Sequence, residues 1–268
     1  MGLLDGKVAL ITGGGAGIGR GIARRFAREG ASIMIAEINA DHAASAAREL
    51  RDEFGIKAAS IVTDVRQKAS VEGAVAATIA EFGGIDSLVN NAFTLSPNIL
   101  LEHKTDEMLD STLHSGLWAS WWAMRAALAS MKARGGGSVV NFYSIDAEVG
   151  AWLHVDYNIT KSALLGLTRS AAAEWGRFNI RVNAIAPTAM GTVFHQLAAK
   201  HPGFAEAAAS RKPLLRNGEP EDDIGPVVVF LASEMSRYVT GELIHVDGGL
   251  HLPGYESRPQ NLAELEGK

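Results

Sequence analysis

Two kinds of segment alternate along this chain, and that alternation restricts the fold more than any other feature. Short apolar, β-branched runs are each followed by a longer Ala-rich amphipathic run. The short runs are KVALIT (7–12), ASIMIAE (31–37), AASIVTD (58–64), IDSLVNN (85–91), SVVNFY (138–143), IRVNAIAP (180–187) and ELIHVDGG (242–249). Their near-continuous apolar character predicts strands buried on both faces, as in a parallel sheet. The longer runs predict helices near 17–29, 40–54, 68–82, 105–133, 157–176 and 221–233. Repeated strand–helix units imply a doubly wound α/β sheet with helices on both sides. The 268 residues fit one large α/β domain or two small ones, and no linker, repeat or low-complexity block interrupts them before about residue 250. One domain over 1–250 is expected, with 251–268 as a polar C-terminal extension.

Composition removes several function classes. There is no cysteine, which excludes disulfides, thiolate catalysis and cysteine-ligated metals. The eight histidines form no pair at metal-ligand spacing, so no metal is expected. A formal net charge of −5 argues against a nucleic-acid or membrane-surface role. The opening MGLLDGKVALITGGG lacks a basic segment followed by a long apolar one, so it does not read as a signal peptide. Gly6 stands where a myristoylation motif wants Ser or Thr. No apolar run is long enough to span a bilayer, and a cytoplasmic protein is expected.

The first strand runs into GGGAGIGRGIARRF, with glycines at 13, 17 and 19 in a T-G-x-x-x-G-x-G pattern. The physics is that of a pyrophosphate site: a tight turn, a close approach free of side chains, and a helix N-terminus aimed at an anion. Gly13, Gly15, Gly17, Ile18 and Gly19 are the candidates there. The second strand ends in Glu37, whose carboxylate can accept ribose hydroxyls and would repel a 2′-phosphate; no arginine follows directly. NAD is therefore expected over NADP. Asp64 and Val65, after the third strand, are placed to cap an adenine edge.

Asn91 and Ala92 close the fourth strand and Ser144 follows the fifth, at the carboxyl ends where parallel sheets hold ligands. Tyr157 and Lys161 lie one turn apart on one face of the next helix. A phenol is a poor base at neutral pH, and an adjacent ammonium favours its phenolate. Ser144 can hold a substrate oxygen, and a nicotinamide can exchange hydride.

Together, TGGGAGIG, Asp64, NNA (90–92), Ser144, YNITK (157–161), RVNAIAP and VTGELIHVDGG resemble the short-chain dehydrogenase/reductase family in order and spacing over residues 5–250. The resemblance implies a single-domain Rossmann fold with a seven-stranded parallel sheet. It makes Tyr157 the catalytic acid/base, Lys161 its electrostatic partner and ribose ligand, and Ser144 the substrate-orienting hydroxyl. It also matches Thr192, five residues after Pro187, to the residue that holds the carboxamide.

Three positions depart from that family's pattern. Phe93 replaces the glycine of NNAG, Thr188 replaces the glycine after Pro187, and Gly116 stands where an asparagine is usual. The asparagine is thought to hold a water that relays protons to the lysine. A local helix distortion at Gly116, with help from Ser115, is expected to replace it, and Gly116→Asn is expected to keep or modestly raise activity.

Phe93, Asp146, Trp152, His154 and the segment 189–215 are the expected substrate contacts, with Phe93 and Trp152 as aromatic walls. Trp118, Trp121 and Trp122 form one helical stripe, read as a subunit contact in a homodimer or homotetramer. The expected function is NAD(H)-dependent interconversion of a secondary alcohol and a ketone on a mainly apolar small molecule. The alternatives are an NADP-type 3-ketoacyl reductase and a non-catalytic dinucleotide-binding sensor or scaffold.

Overall fold

A computed structural model describes residues 2–253. Most of the expected C-terminal extension, 254–268, lies outside the described residues. Seven parallel strands form one sheet in the order β3-β2-β1-β4-β5-β6-β7. They are β1 (Val8–Thr12), β2 (Ser32–Glu37), β3 (Ala58–Val62), β4 (Ser87–Asn90), β5 (Gly137–Phe142), β6 (Ile180–Pro187) and β7 (Leu243–Val246). Every predicted strand is present. All five residues of β1 are buried, as expected of a central strand covered on both faces. The edge strand β3, buried only at Ala58, instead alternates half-buried and exposed positions, leaving Val62 at 58% exposure.

Helices cover both faces. Leu50 of α2 (Ala40–Phe54), Phe26 and Ile22 of α1 (Gly17–Arg28), and Val228 of α10 (Gly225–Ala232) form one apolar layer with the sheet. Val71 and Val75 of α3 (Lys68–Phe82), Met124 and Met131 of α5 (Ala119–Ala133), and Ala171 of α7 (Val155–Trp175) form the other. Each fully buried large apolar side chain contributes about 1.5–3 kcal/mol. These two layers therefore hold the strand ends in place for the site above them.

The single helix expected over 105–133 is two helices. α4 (Asp106–Leu113) and α5 are joined by a π turn at His114–Trp118 that contains Gly116. Glycine is weak at holding a regular helix, and inserted residues of this kind concentrate at functional sites. Three short helices escaped the periodicity: α6 (Ile145–Val149), α8 (Thr192–Lys200) and α9 (Phe204–Ser210). Each spans fewer than ten residues, too few to set up a clear 3.6-residue repeat. Among the described residues, no helix is long and apolar enough to cross a membrane.

Candidate active site

The strand order reverses at β1, which has β2 on one side and β4 on the other. A crevice opens at such a switch point, above the carboxyl ends of the strands. Register aligns those ends: Thr12 pairs with Asn90, and Asn90 with Asn141. One cleft of about 590 Å³ runs across them.

At one end the chain turns sharply at Gly13 and enters α1. Gly13 (φ 65°) and Gly17 (φ 53°) occupy left-handed backbone that other residues resist. A Cβ on Gly13 would come within 2.8 Å of Asn91 Nδ2, and one on Gly17 within 2.8 Å of Thr192 Oγ1. The N-terminus of α1 has neither a capping side chain nor an acid in its first turn. Its free amide groups and partial positive charge are thus left to an anion. By contrast, Asn39 caps α2 by accepting from His42 N at 3.0 Å.

Thr12 ties the glycine turn to β4. Its hydroxyl accepts from Asn91 N and Ala92 N, each at 3.1 Å. Asn91 Nδ2 donates to Thr12 O at 2.9 Å. Sequence reasoning named Asn91 but missed Thr12 as the hub, because a buried strand-end threonine carries no pattern of its own.

Glu37 lines the cleft, its carboxylate accepting from Gly15 N at 3.3 Å and Asn39 N at 3.1 Å. Asp64 and Val65 line it too, but the Asp64 carboxylate is clamped by Arg66 at 2.9 and 2.8 Å. That guanidinium holds its carboxyl below the usual range, so an adenine amine would compete with it. Gly13, Gly17, Ile18, Ala92, Pro187 and Thr192 also line the cleft. Gly15 and Gly19 do not. A Cβ on Gly15 would meet Glu37 Cγ at 2.7 Å, and one on Gly19 would meet Gly13 O at 2.2 Å. These two glycines allow close packing behind the turn rather than forming the cleft wall.

At the other end, α7 carries Tyr157 and Lys161 into the cleft. Its first turn is anchored by a buried pair, Lys104 Nζ to Asp156 at 2.7 Å, which no sequence motif announced. Lys161 Nζ donates to Phe142 O at 2.8 Å. It lies 4.6 Å from the centre of the Phe93 ring and 5.4 Å from that of Tyr157. Burial pushes the ammonium down to about 7. Burial likewise pushes the Tyr157 phenol up to about 12; the Ser144 hydroxyl pulls it down and the Asp146 charge adds to the rise. The phenol is raised by desolvation, and the pull downward comes from the Ser144 hydroxyl rather than, as expected, from Lys161.

Ser144, Asp146 and His154 gather beside Tyr157. Ser144 caps α6, accepting from Asp146 N at 3.2 Å. Asp146 Oδ2 meets His154 Nδ1 at 2.9 Å, and the His154 ring stands edge-on to Tyr157 with centroids 5.9 Å apart. Of the individually named substrate contacts, Phe93 lines the cleft, Ser144, Asp146 and His154 do not, and neither does Trp152. It is 84% exposed, on a turn between two left-handed residues, Gly150 (φ 62°) and Leu153 (φ 68°). It is not a pocket wall here. Leu95, Val193 and Phe194 line the cleft with Phe93, and of these only the residues in 189–215 fall in a stretch singled out from sequence.

Gly116 faces α7, but the expectation for Gly116→Asn does not survive. A Cβ there would lie 2.4 Å from the Thr160 methyl and 2.9 Å from the Phe93 ring. Ser115 is fully buried; its hydroxyl accepts from Thr94 N at 3.1 Å and donates to Thr112 O at 3.3 Å, so it is spent on holding the turn.

The tryptophan stripe is divided by the π turn. Trp118 stacks on Trp122, while Trp121 packs under Arg125. Trp118 and Trp121 are exposed, whereas Trp122 packs against the core.

A family profile described as enoyl-(acyl carrier protein) reductase matches residues 13–251. A 12alpha-hydroxysteroid dehydrogenase of Clostridium sp. is 38% identical, over 93% of this chain and 98% of that protein. An L-rhamnose 1-dehydrogenase (NAD(P)(+)) of Azotobacter vinelandii is 38% identical, over 92% of this chain and 98% of its own length. Among solved structures, L-sorbose reductase from Gluconobacter frateurii, complexed with NADPH and L-sorbose, superposes with a TM-score of 0.88 at 34% identity. That alignment covers 94% of this chain and 98% of the other.

Proposed function

This chain belongs to the short-chain dehydrogenase/reductase family, and from that premise we propose that it is an NAD(H)-dependent oxidoreductase. It interconverts a secondary alcohol and a ketone on a mainly apolar small molecule. The observation that carries this reading is the convergence of Ser144, Tyr157 and Lys161 at the end of a cleft whose opposite end is a glycine turn. The non-catalytic alternative has no counterpart for that convergence. Turnover of a panel of secondary alcohols with NAD separates the two.

The cradle fits a dinucleotide. Gly13 and Gly17 pack so closely on Asn91 and Thr192 that a Cβ does not fit, which keeps the turn tight, and the uncapped start of α1 suits a pyrophosphate. Glu37 would hold the adenosine ribose, Lys161 the other ribose, and Thr192 the carboxamide. The bound nicotinamide would accept or supply hydride. In the oxidative direction the Tyr157 oxygen takes the proton of the substrate hydroxyl, and Ser144 orients that hydroxyl. The products are ketone, reduced dinucleotide and one proton released to solvent. In reduction the Tyr157 phenol returns the proton to the carbonyl oxygen. Phe93, Leu95, Val193 and Phe194 give the cleft an apolar wall, which supports an apolar substrate.

Cofactor choice is assigned to Glu37. Lys161 is the only lysine or arginine lining the cleft among the described residues, so no cation waits for a 2′-phosphate beside Glu37. NAD is expected to bind at least tenfold more tightly than NADP, and Glu37→Ala to narrow the gap; tenfold is about 1.4 kcal/mol. Equal affinities by fluorescence titration of the wild type would remove the argument. An NADP-type ketoacyl reductase is disfavoured for the same reason.

The exposed pair Trp118 and Trp121 is assigned to a contact between copies of the chain in a homodimer or homotetramer. Trp118→Glu/Trp121→Glu spares the core-packed Trp122 and places two charges in that contact, at a cost of several kcal/mol. Light scattering should then report smaller species with an unchanged fold. An unaltered assembly with changed substrate preference would move the tryptophans to the pocket.

A further inference from the structure

We infer that Phe93 is a positioning residue for the Lys161 ammonium, and that Gly116 is bare so that the Phe93 ring, together with the Thr160 methyl, can lie where it does. The inference rests on Tyr157 and Lys161 being the reactive pair, and it concerns what surrounds them. Phe93 is pinned on both sides. Before it, Ala92 N is bound to Thr12 Oγ1 at 3.1 Å; after it, Thr94 N is bound to Ser115 Oγ at 3.1 Å. The backbone is thus fixed between the glycine turn and the π turn, and the ring has little freedom left.

From there the ring touches three groups at once. Its centroid is 4.6 Å from Lys161 Nζ, within reach of a cation–π attraction. It meets Tyr157 edge-on, with centroids 5.1 Å apart and planes at 88°. Its Cε2 and Cδ2 lie 2.9 and 3.2 Å from where a Cβ on Gly116 would stand. Two departures from the family's pattern, a phenylalanine for a glycine and a glycine for an asparagine, are therefore in contact. Volume removed at 116 is filled from 93 on one side and by the Thr160 methyl, 2.4 Å from that Cβ position, on the other.

The chemical consequence follows from the donor count. An ammonium has three N–H groups and no acceptor. The Phe142 carbonyl takes one at 2.8 Å, the ring covers a second side, and the cleft is left for the third. A ring attracts the cation without offering a proton acceptor. It fixes the position of Nζ and keeps water from that side, which agrees with the lowered titration of the buried lysine. The Phe93 ring leaves the cleft side of the ammonium as the one open to proton exchange.

The test reads Lys161 directly, by NMR titration of ¹³C-labelled lysine in the purified protein, with Lys161→Met to assign the signal. Phe93→Leu keeps apolar bulk and loses the ring face. Phe93→Ala admits water. The titration midpoint should fall by about 0.5–1.5 units in the leucine variant and rise in the alanine variant. Thermal melting supplies the second arm. Gly116→Ala should lower the midpoint temperature, and Phe93→Ala/Gly116→Ala should lose clearly less than the two single changes added together. A leucine variant titrating at or above the wild-type value would overturn the cation contact, and additive melting losses would overturn the shared volume. Neither arm uses a substrate, so an inactive protein would refute the proposed reaction and leave standing the contacts of Phe93 with Lys161 and Gly116.

Discussion

Tyr157→Phe is expected to lower turnover by about 10²–10⁴-fold while leaving dinucleotide affinity nearly unchanged. The change removes one oxygen, the only atom of Tyr157 that can exchange a proton with the substrate. The ring, its edge contact with Phe93 and the helix beneath it all remain. Steady-state rates together with a fluorescence titration of NADH separate the two effects. The same phenol sets a pH dependence. It is pushed up to about 12 by burial, and oxidation needs its phenolate, so the oxidative rate should climb as pH rises through the alkaline range. Reduction needs the phenol, which stays protonated through neutrality, so its rate should fall there only as the Lys161 ammonium titrates near 7. A Tyr157→Phe protein that kept most of its activity would end the assignment.

Lys161→Met should make the protein more stable at pH 6 and far less active. Burial lowers the ammonium from 10.5 to about 7 in the folded chain. Between those values the unfolded chain holds a proton that the folded chain does not, so stability rises with pH across that window. Below about pH 7 the full cost of the buried charge is present. That shift is on the order of 5 kcal/mol at most, and the Phe142 carbonyl left without its donor takes back about 1–3 kcal/mol. A gain of a few kcal/mol corresponds to a rise in melting temperature of about 5–10 °C. The gap from wild type should shrink as pH approaches 10. Turnover and cofactor affinity should both fall, because the ammonium serves both. A variant less stable than wild type at pH 6 would mean that the lysine is not held at an electrostatic cost.

The repeating pattern of apolar strands was legible in the sequence because burial on both faces leaves little freedom in composition. KVALIT reads as a strand buried on both faces, and as β1 all five of its strand residues are buried. The glycine turn and the Tyr157–Lys161 spacing were legible for a related reason: each requires particular residue types at particular intervals. What escaped has in each case no periodic signature. Thr12 is one hydroxyl at a strand end, yet two backbone amides depend on it. The Lys104–Asp156 pair joins residues 52 apart in sequence, and only tertiary packing brings them together. Trp152 looked like a wall because it is aromatic and near the site in sequence, but the turn that carries it directs it to solvent. Gly116 and Phe93 were each noticed as departures, and only their contact reveals that they are one.

Deuterium transfer tests the central claim most directly. Secondary alcohols carrying deuterium at the carbinol carbon, cyclic and acyclic, would be incubated with the protein and NAD, and the reduced dinucleotide examined by mass spectrometry. An apolar member of the panel is expected to pass its deuterium to the nicotinamide, with NADP a much poorer acceptor. Tight binding of NAD with no deuterium transferred from any alcohol would contradict it.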